Sequence, residues 1–474
     1  MRKRAATFTL AAAVSLALAG CTMAPRYERP AAPVADAWPS GAAYDPADAG
    51  GKTAAGVPWR EFIRDQKLQQ IIEQALANNR DLRGALASIQ SARAQYRIQR
   101  ADLFPRINGT INATRSETFN QFTGTGGTIE NEFYTANVGL SAFEIDLFGR
   151  VRSLSRAAVE TYLATEEAAR ATRISLIAET ASAYLTLAAD ISQHELARRT
   201  VESAQRSMEV TRKRLEAGVS SRLDLRQAET IYQQARADLA ATTALIAQDR
   251  NALELLTGSR IAEELMPSEL PDNHQWLADV PSGLSSAVLL SRPDVLQAEH
   301  QLKSANANIG AARAAFFPRL SLTASTGLAS PELSNLFSDG ASVWSVAPSL
   351  VLPIFNGGAN IANLSYAKAQ RDLFVSQYEL AIQTAFKEVA DALAVRGTIQ
   401  DQLDAQRALV DAAADSYQLA DARYTKGVDT FLNALDAQRT LYNAEKSLVS
   451  ARLTASSNVV TLYRVLGGGL AGEE

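Results

Sequence analysis

Residues 150–217 contain no glycine and no proline, and this run restricts the chain more than any other feature. The run is rich in Ala, Leu, Arg and Glu, which favour helix, and it ends in three cations ahead of Gly218, as helix C-termini commonly do. A helix of this length spans roughly 100 Å. Ordinary helices are far shorter, so such a rod must lie against similar rods. Residues 359–426, interrupted only by Gly397 and followed by Gly427, supply a second one.

Two other segments change from a helical period to a period of two. In the first, Ile107, Gly109 and Ile111 alternate with polar residues, and alternation resumes after a polar, Gly-rich loop. This pattern predicts a β-hairpin over 107–145, and a similar pattern predicts a second hairpin over 320–352. Each hairpin has one apolar and one polar face. Aromatic residues near the ends of the first hairpin's strands are typical of membrane barrels: Phe119, Phe122, Phe133 and Phe143.

The second half of the chain repeats the first. Phe104-Pro105-Arg106 recurs as Phe317-Pro318-Arg319, and Gly218-Val219 recurs as Gly427-Val428. Offsets that stay near 210 over most of the chain indicate an internal duplication. The last helix of each half carries apolar and small residues every seven positions, which predicts coiled-coil seams. In the second half one such seam is Ala434, Leu441, Leu448, Ala455 and Leu462, and a parallel one is Ala437, Ala444, Ala451, Asn458 and Val465.

The predicted organisation follows from these patterns. Each repeat has a helix (68–103 in the first repeat), a hairpin, a long helix and a return helix. The predicted segments are a signal peptide (1–20), an anchor with an extended Pro-rich tether (21–66), the first repeat (67–258), a connector (259–283), the second repeat (284–467) and a C-terminal tail (468–474). The predicted fold class is mainly α with a membrane β-barrel.

Four strands per chain cannot close a barrel, and open sheet edges are not tolerated in lipid. Single-chain outer-membrane barrels start at about eight strands. We therefore expect several chains to pool their strands, with three chains giving twelve. The long helices, pooled in the same way, are expected to form a coaxial α-barrel in the periplasm.

The N-terminus indicates export and lipidation. A basic start (Arg2, Lys3, Arg4) precedes an apolar stretch, and Leu18-Ala19-Gly20-Cys21 resembles the lipobox of bacterial lipoproteins. The resemblance implies cleavage before Cys21, an S-diacylglyceryl thioether and an N-palmitoyl group on its new amine. Thr22, in place of Asp, favours outer-membrane sorting by the same resemblance. The alternative is an ordinary signal peptide with an unrelated cysteine. After residue 20 we find no apolar run of about 18 residues, so no transmembrane helix is expected there.

Composition argues against an enzyme and against a nucleic-acid partner. The net charge is −4, whereas nucleic-acid-binding proteins carry basic patches. His194, His274 and His300 are too scattered for a local metal-ligand motif, and the one cysteine excludes a disulfide framework. We expect no enzyme activity, and no cofactor apart from the lipid on Cys21.

The motifs, in this order and with the duplication, resemble the TolC-like outer-membrane factors, most closely the OprM-like lipoprotein branch of RND tripartite multidrug efflux pumps. Those that carry the resemblance are Leu18–Cys21, Tyr96–Arg106, Glu144–Arg150, Gly310–Pro318 and Leu435–Arg439. The resemblance implies a homotrimer with a shared twelve-stranded β-barrel in Gram-negative outer-membrane lipid, above a periplasmic α-barrel. It implies a passive exit channel for antibiotics and other toxic small molecules. The implied partners are a periplasmic adaptor (membrane fusion) protein and an RND inner-membrane transporter.

The same resemblance implies a periplasmic gate after the second long helix. Leu432 and Asp436 would form an apolar ring and an acidic ring, while Tyr424 and Arg439 would hold the helices closed. Some relatives carry a second acid where this chain has Asn433, so we expect one acidic ring. The alternative is that Asp436 and Arg439 form an ordinary i,i+3 surface pair.

Two other functions remain open from the sequence. The tube could serve a type I protein secretion system, or the chain could be a non-conducting, lipid-anchored periplasmic coiled-coil scaffold. The amphipathic hairpins argue against the scaffold, which has no need of them.

Overall fold

The computed structural model describes residues 22–44, 57–119, 128–272, 276–278 and 285–468. The predicted signal peptide (1–20) and Cys21 lie outside these residues, as does the predicted tail beyond residue 468. Parts of the predicted tether, first hairpin loop and connector also lie outside: 45–56, 120–127, 273–275 and 279–284.

The described elements follow the same order in both repeats, except that the first repeat has one more helix before its hairpin. A short helix α1 (Trp59–Phe62) comes first. The first repeat contains α2 (Gln66–Asn78), α3 (Arg80–Ala101), β1 (Ile107–Phe119), β2 (Thr128–Ile145), α4 (Arg150–Glu216) and α5 (Arg222–Thr257). The second contains α6 (Pro293–Ala314), β3 (Arg319–Ser330), β4 (Ser342–Val351), α7 (Ala359–Thr425) and α8 (Phe431–Val465). Short 3₁₀ turns lie at Glu263–Leu265, Ser286–Ser291 and Leu333–Asn335.

The two long helices, α4 and α7, are 67 residues each and end in the same way. Gly218 and Gly427 have φ of 75° and 74°, a left-handed conformation that costs glycine little. The N–H of Val219 donates to the Arg214 carbonyl and that of Val428 to the Arg423 carbonyl, both at 2.9 Å. These are Schellman caps, which satisfy otherwise unpaired carbonyls at the helix end.

The single helix predicted over 68–103 is wrong, because the chain turns at Asn79 between α2 and α3. Asn79 is buried and its ψ is 135°, outside the helical range. Its Oδ1 accepts a hydrogen bond from the N–H of Leu82 at 2.9 Å and so caps α3. Its Nδ2 donates to the Leu256 carbonyl on α5 at 3.0 Å. This contact with a distant part of the chain helps fix the break.

The four strands form one antiparallel sheet in the order β1-β2-β3-β4. Ile107 lies opposite Leu140 within the first hairpin, and Leu320 lies opposite Leu350 within the second. The central pair joins the repeats, with Ile145 of β2 opposite Leu320 of β3. A bulge at Ala142 (φ 50°) shifts the register of this pair. Within the described residues, the outer edges of β1 and β4 have no neighbouring strand.

The predicted heptad seams are confirmed as packing surfaces. On α8, eight of their positions are buried: Ala434, Ala444, Leu448, Ala451, Ala455, Asn458, Leu462 and Val465. Small residues at these positions allow neighbouring helices to approach closely.

The chain divides into two compact units that cut across the repeats. One comprises residues 1–31, 89–165 and 298–378 and contains the sheet; the other comprises 32–88, 166–297 and 379–474. In the second unit, Phe62 and Tyr463 stack with ring centroids 3.9 Å apart, and the Tyr463 hydroxyl donates to the Val57 carbonyl at 2.9 Å. Each unit therefore needs segments from both repeats.

By length and composition, one described helix, α4, contains an 18-residue stretch apolar enough to cross a membrane. This finding differs from the expectation that no apolar run of about 18 residues follows residue 20. Within that stretch, 61% is buried inside the chain, as in the core helix of a soluble protein.

Candidate gate and anchor sites

The turn between α7 and α8 is held by Asp429. This carboxylate accepts hydrogen bonds from the backbone N–H of Thr430 (2.8 Å), Nε of Arg423 (3.1 Å) and Nδ2 of Asn433 (2.6 Å). These bonds, with that of the Thr430 N–H foremost, hold the pKa of Asp429 below its usual range. Asn433, which stands where some relatives carry a second acid, thus stabilises the turn through its bond to Asp429.

Tyr424 lies buried at the end of α7 and joins this helix to α4. Its ring packs against Phe431 with centroids 5.1 Å apart, and the guanidinium carbon of Arg214 lies 4.5 Å from the ring centroid. Arg214 Nη1 also donates to the Tyr424 carbonyl at 3.0 Å. The Tyr424 hydroxyl lies 3.4 Å from Oγ1 of Thr211. A cation over an aromatic face adds to the stability of such a contact.

The other three predicted gate residues lie on an exposed part of α8. Leu432 is 54% exposed, and Asp436 lies one turn further along the same face. Oδ1 of Asp436 accepts a hydrogen bond from Arg439 Nη2 at 2.8 Å, and both side chains are largely exposed. Within one chain, Asp436 and Arg439 therefore form the i,i+3 pair of the alternative hypothesis. Their roles as a ring and a latch stay predictions.

The sequence did not single out Arg214, Thr211 or Asp429. The sequence pattern indicates Arg214 only as one of three cations at a helix C-terminus. The duplication was the available signal, because it places the two glycine-capped turns at equivalent positions of a doubled fold.

The described residues next to Cys21 form a strap (residues 22–29) along α6. The Met23 carbonyl accepts from Arg313 Nη1 at 3.2 Å, and the Pro25 carbonyl accepts from Asn306 Nδ2 at 2.9 Å. At the other end, Tyr27 and Arg29 reach Glu299. The α6 residues that contact the strap recur at spacings of four and three, so they lie on one face of the helix. They are Glu299, Lys303, Asn306, Gly310 and Arg313.

The lengths of the strap and of the α6 face agree. From residue 299 to 313 a helix rises about 21 Å, and six extended residues span roughly 20–22 Å. Gly310 provides the closest approach: a Cβ there would lie 2.7 Å from both the backbone nitrogen and the Cβ of Ala24, and 2.7 Å from Ser153 Oγ. The strap therefore runs extended and antiparallel to α6.

A buried carboxylate secures the far end of the strap. Glu299 is 3% exposed and receives a forked pair of hydrogen bonds from Arg29, at 3.0 and 2.6 Å. The Tyr27 hydroxyl donates to it at 3.0 Å, and Lys303 Nζ lies 3.1 Å away. Burial raises the pKa of Glu299, but the bonds from Arg29 and Lys303 outweigh burial and hold this pKa below its usual range.

The histidines have structural partners where they are described. His194 Nδ1 lies 3.2 Å from Thr242 Oγ1, and His300 Nδ1 lies 2.7 Å from Glu160 Oε2. His274 is outside the described residues. Among the part of the chain that the structure describes, no group of three or more metal-ligating side chains is found.

An open antiparallel sheet that continues into helices of this length defines the class: this is a channel-type outer-membrane protein. A family model described as "Outer membrane efflux protein" matches residues 71–259 and 284–468. The chain belongs to this family.

Relatives and solved structures agree with this membership. The antibiotic efflux pump outer membrane protein ArpC of Pseudomonas putida is 48% identical over 97% of this chain and 94% of its own length. The toluene efflux pump outer membrane protein TtgC, also of Pseudomonas putida, is 47% identical with the same coverage. The open-state crystal structure of the Neisseria gonorrhoeae MtrE outer membrane channel has a TM-score of 0.84 and 38% identity, covering 95% of this chain and 99% of that one. The protein is thus an outer-membrane efflux channel of a Gram-negative cell.

Proposed function

We propose that the working channel is a homotrimer whose three sheets close one twelve-stranded barrel. The observation that carries this proposal is the open sheet, whose β1 and β4 edges lack a neighbour within the described residues. An unpaired edge in lipid leaves backbone N–H and C=O groups without hydrogen bonds, so the edges must meet on other copies.

The outward side chains of the strands support a lipid-facing surface. Every residue of β4 is exposed, and its large apolar side chains lie mainly on one face, with Val343 and Val351 on the other. Ile111 on β1 is 81% exposed. On β4 and just beyond it, the apolar residues of the main face are Trp344, Val346, Leu350 and Leu352. Such exposure is costly in water and favourable in a bilayer.

The trimer is proposed to act as a passive conduit for antibiotics and other toxic small molecules, including solvents. Two relatives support this proposal. They are nearly half identical to this chain, and their names refer to antibiotic and toluene efflux. These names favour small-molecule efflux over type I protein secretion. The proposed partners are a periplasmic adaptor (membrane fusion) protein and an RND inner-membrane transporter, which supplies the energy.

The conduit is proposed to close at the α7–α8 turn. Three copies of Leu432 would form an apolar constriction that expels water, and three copies of Asp436 would attract cations. The exposure of both side chains in one chain supports this placement, because a ring residue must face the lumen. Tyr424, buried against Arg214 and Phe431, would hold α7 against α4 in the closed state. Arg439 would act with Tyr424 in holding the helices shut.

Lipidation of Cys21 is also proposed, with S-diacylglyceryl and N-palmitoyl groups inserted in the outer membrane. The docked strap supports it, because an anchor one residue from Thr22 would be joined to a fixed part of the fold rather than to a free tether.

The experiment that tests the proposal starts with protein extracted in detergent from the outer-membrane fraction. We expect a particle mass of three chains, and stepwise ion conductance after reconstitution into planar bilayers. A monomer, or a trimer that never conducts even when the gate is altered, would overturn the conduit.

A further inference from the structure

The duplication repeats a pair of phenylalanines at the junctions between sheet and helices. An offset of 213 relates Phe317, just before β3, to Phe104, just before β1. An offset of 207 relates Phe148, just after β2, to Phe355, just after β4. Every junction of the four strands with a helix therefore carries at least one phenylalanine, and the junction before β3 carries Phe316 as well.

Two of these rings meet inside the chain, at the boundary between the repeats. Phe148 and Phe317 stack with ring centroids 4.7 Å apart and an interplanar angle of 23°. The stack has a defined position relative to the strand register: each ring lies three residues beyond the Ile145–Leu320 pair. It thus closes the end of the β2–β3 ladder.

The other two rings lie at the outer edges of the sheet and are more exposed than Phe317, which is 39% exposed. Phe355 is 90% exposed and Phe104 is 60% exposed. Phe355 follows β4 and Phe104 precedes β1, the strands whose outer edges lack a neighbour within the described residues. Ile354, beside Phe355, is 92% exposed. Large apolar side chains this exposed, at an unpaired edge, indicate a surface that is covered on assembly.

We propose that Phe355 stacks on Phe104 of the partner subunit, repeating between copies the contact that Phe148 and Phe317 make within one. The same two offsets predict the strand register between copies. Adding 207 to Ile145 gives Leu352, and subtracting 213 from Leu320 gives Ile107, so Leu352 is expected opposite Ile107 of the partner subunit. A second copy is the occupant because it presents the same kind of element, a strand start with Phe-Pro-Arg, that already fills the equivalent position. The inference rests on the proposed assembly and specifies its strand register.

Cysteine pairs test this register directly, because the chain has only one cysteine of its own, Cys21. The test variant carries Phe104→Cys and Phe355→Cys, and the protein is extracted as assembled and treated with a short bis-maleimide. We expect a denaturing gel to show a ladder that ends at three covalently joined chains. The matched control, Phe148→Cys with Phe317→Cys, should bridge within one chain and stay at single-chain mass.

Native mass, measured before cross-linking, separates the possible failures. A native trimer that gives no ladder would overturn the register and leave the assembly intact. A native monomer would overturn the assembly and the register together. Each variant with one introduced cysteine must give no ladder. A ladder from it would mean that Cys21 is reacting, or that the same introduced cysteine of two copies is being joined.

A second pair keeps the inference testable if loss of the rings prevents folding. Leu352→Cys with Ile107→Cys retains all four phenylalanines and should give the same ladder. Ile354→Cys with Ile107→Cys, two residues out of register, should cross-link at least tenfold more slowly. Equal rates for these two pairs would contradict the proposed register.

Discussion

At the residue scale, Tyr424 connects two helices that the sequence places more than 200 positions apart. Its ring holds Arg214 and Phe431, and its hydroxyl reaches Thr211. Aromatic and cation contacts of this kind contribute roughly 0.5–1.5 kcal/mol each beyond simple burial. In the proposed closed state, a few such contacts would hold the helices, so a partner that binds the helix ends would be able to open it.

Tyr424→Phe removes the hydroxyl contact with Thr211 and keeps the ring. We expect a higher resting conductance in planar bilayers, because a net hydrogen bond of about 1 kcal/mol per copy no longer favours the closed state. Tyr417→Phe is the matched control, since the Tyr417 hydroxyl makes a similar 3.5 Å contact with Ser203 one heptad earlier. Equal conductance in the two variants would remove Tyr424 from the gate.

Asp436 and Arg439 can be separated by their effects on ion selectivity. Asp436→Ala should reduce the preference for cations, because a carboxylate ring is lost from the constriction. Arg439→Ala should leave or increase this preference, because it frees the Asp436 carboxylate from its partner. The measurement is the reversal potential across a salt gradient. If neither variant changes it, the two residues are an ordinary surface pair.

On α5, Asp249 belongs to a series with seven-residue spacing: Ala228, Ala235, Thr242, Asp249 and Leu256. Its Oδ2 is buried, and the side chain interacts with Asp190 on α4. Burial raises the pKa of Asp249 to about 6, helped by the hydrogen bond that its protonated form donates to Asp190 and by repulsion between the two carboxylates. The folded state therefore binds this proton more tightly than the unfolded state, whose pKa is near 3.9. The resulting stability is fully present below about pH 4 and is lost as pH rises through about 6.

Asp249→Asn should therefore stabilise the folded protein at pH 8 and change its stability little at pH 4. An amide can donate to Asp190 at every pH, as the protonated acid does. The gain is about 1 kcal/mol after allowance for solvent screening of a partly exposed group. Melting temperature measured against pH checks this, with the exposed Asp401→Asn on α7 as control. A gain that does not depend on pH would contradict the assignment.

At the element scale, the strap and α6 show how a Pro-rich segment acquires a fixed position. Main-chain carbonyls of the strap receive side-chain donors from α6, and Glu299 holds its far end. Two extended residues span at most about 7 Å, so a lipid on Cys21 would begin within that distance of Met23. The strap thus determines where such an anchor starts.

Gly310→Ala should release the strap, because the new Cβ would meet the backbone of Ala24. We expect trypsin to cleave after Arg26 about tenfold faster, as a loss of about 1.4 kcal/mol in docking implies. Gly84→Ala on α3 is the control, since a Cβ there meets nothing within 4 Å. Both changes favour helix to the same degree. An unchanged rate of cleavage in Gly310→Ala would contradict docking of the strap against Gly310.

At the whole-molecule scale, the two repeats are duplicated in sequence but not independent in structure. Both compact units draw on both repeats, and the β2–β3 ladder joins the two hairpins. A single repeat would expose the faces that the other covers. The duplication therefore built one fold, not two domains in tandem.

Neither half of the chain, 21–258 or 284–474, is therefore expected to fold alone. When expressed separately, each half should be degraded by a protease under conditions in which the whole chain stays intact. Co-expression of the two halves should restore protease resistance. The physical reason is that each compact unit lacks part of its core in a half chain. A protease-resistant half would show that the repeats are separate domains.

Apart from the break at Asn79, the sequence alone determined the main elements and their order, because these depend on local signals. The glycine-free runs, the alternation of the hairpins and the glycines at 218 and 427 act over a few residues, and they placed the ends of the long helices within one residue. The resemblance named the family that the comparisons establish.

The tertiary structure decided what depends on contacts between distant residues. It broke the first helix at Asn79, whose amide bonds to Leu256, and it set Arg214 on Tyr424 and the strap on α6. Such pairs are separated by tens to hundreds of positions and leave no periodic signal in the sequence. Their geometry depends on how the helices pack within each compact unit, which no local signal specifies.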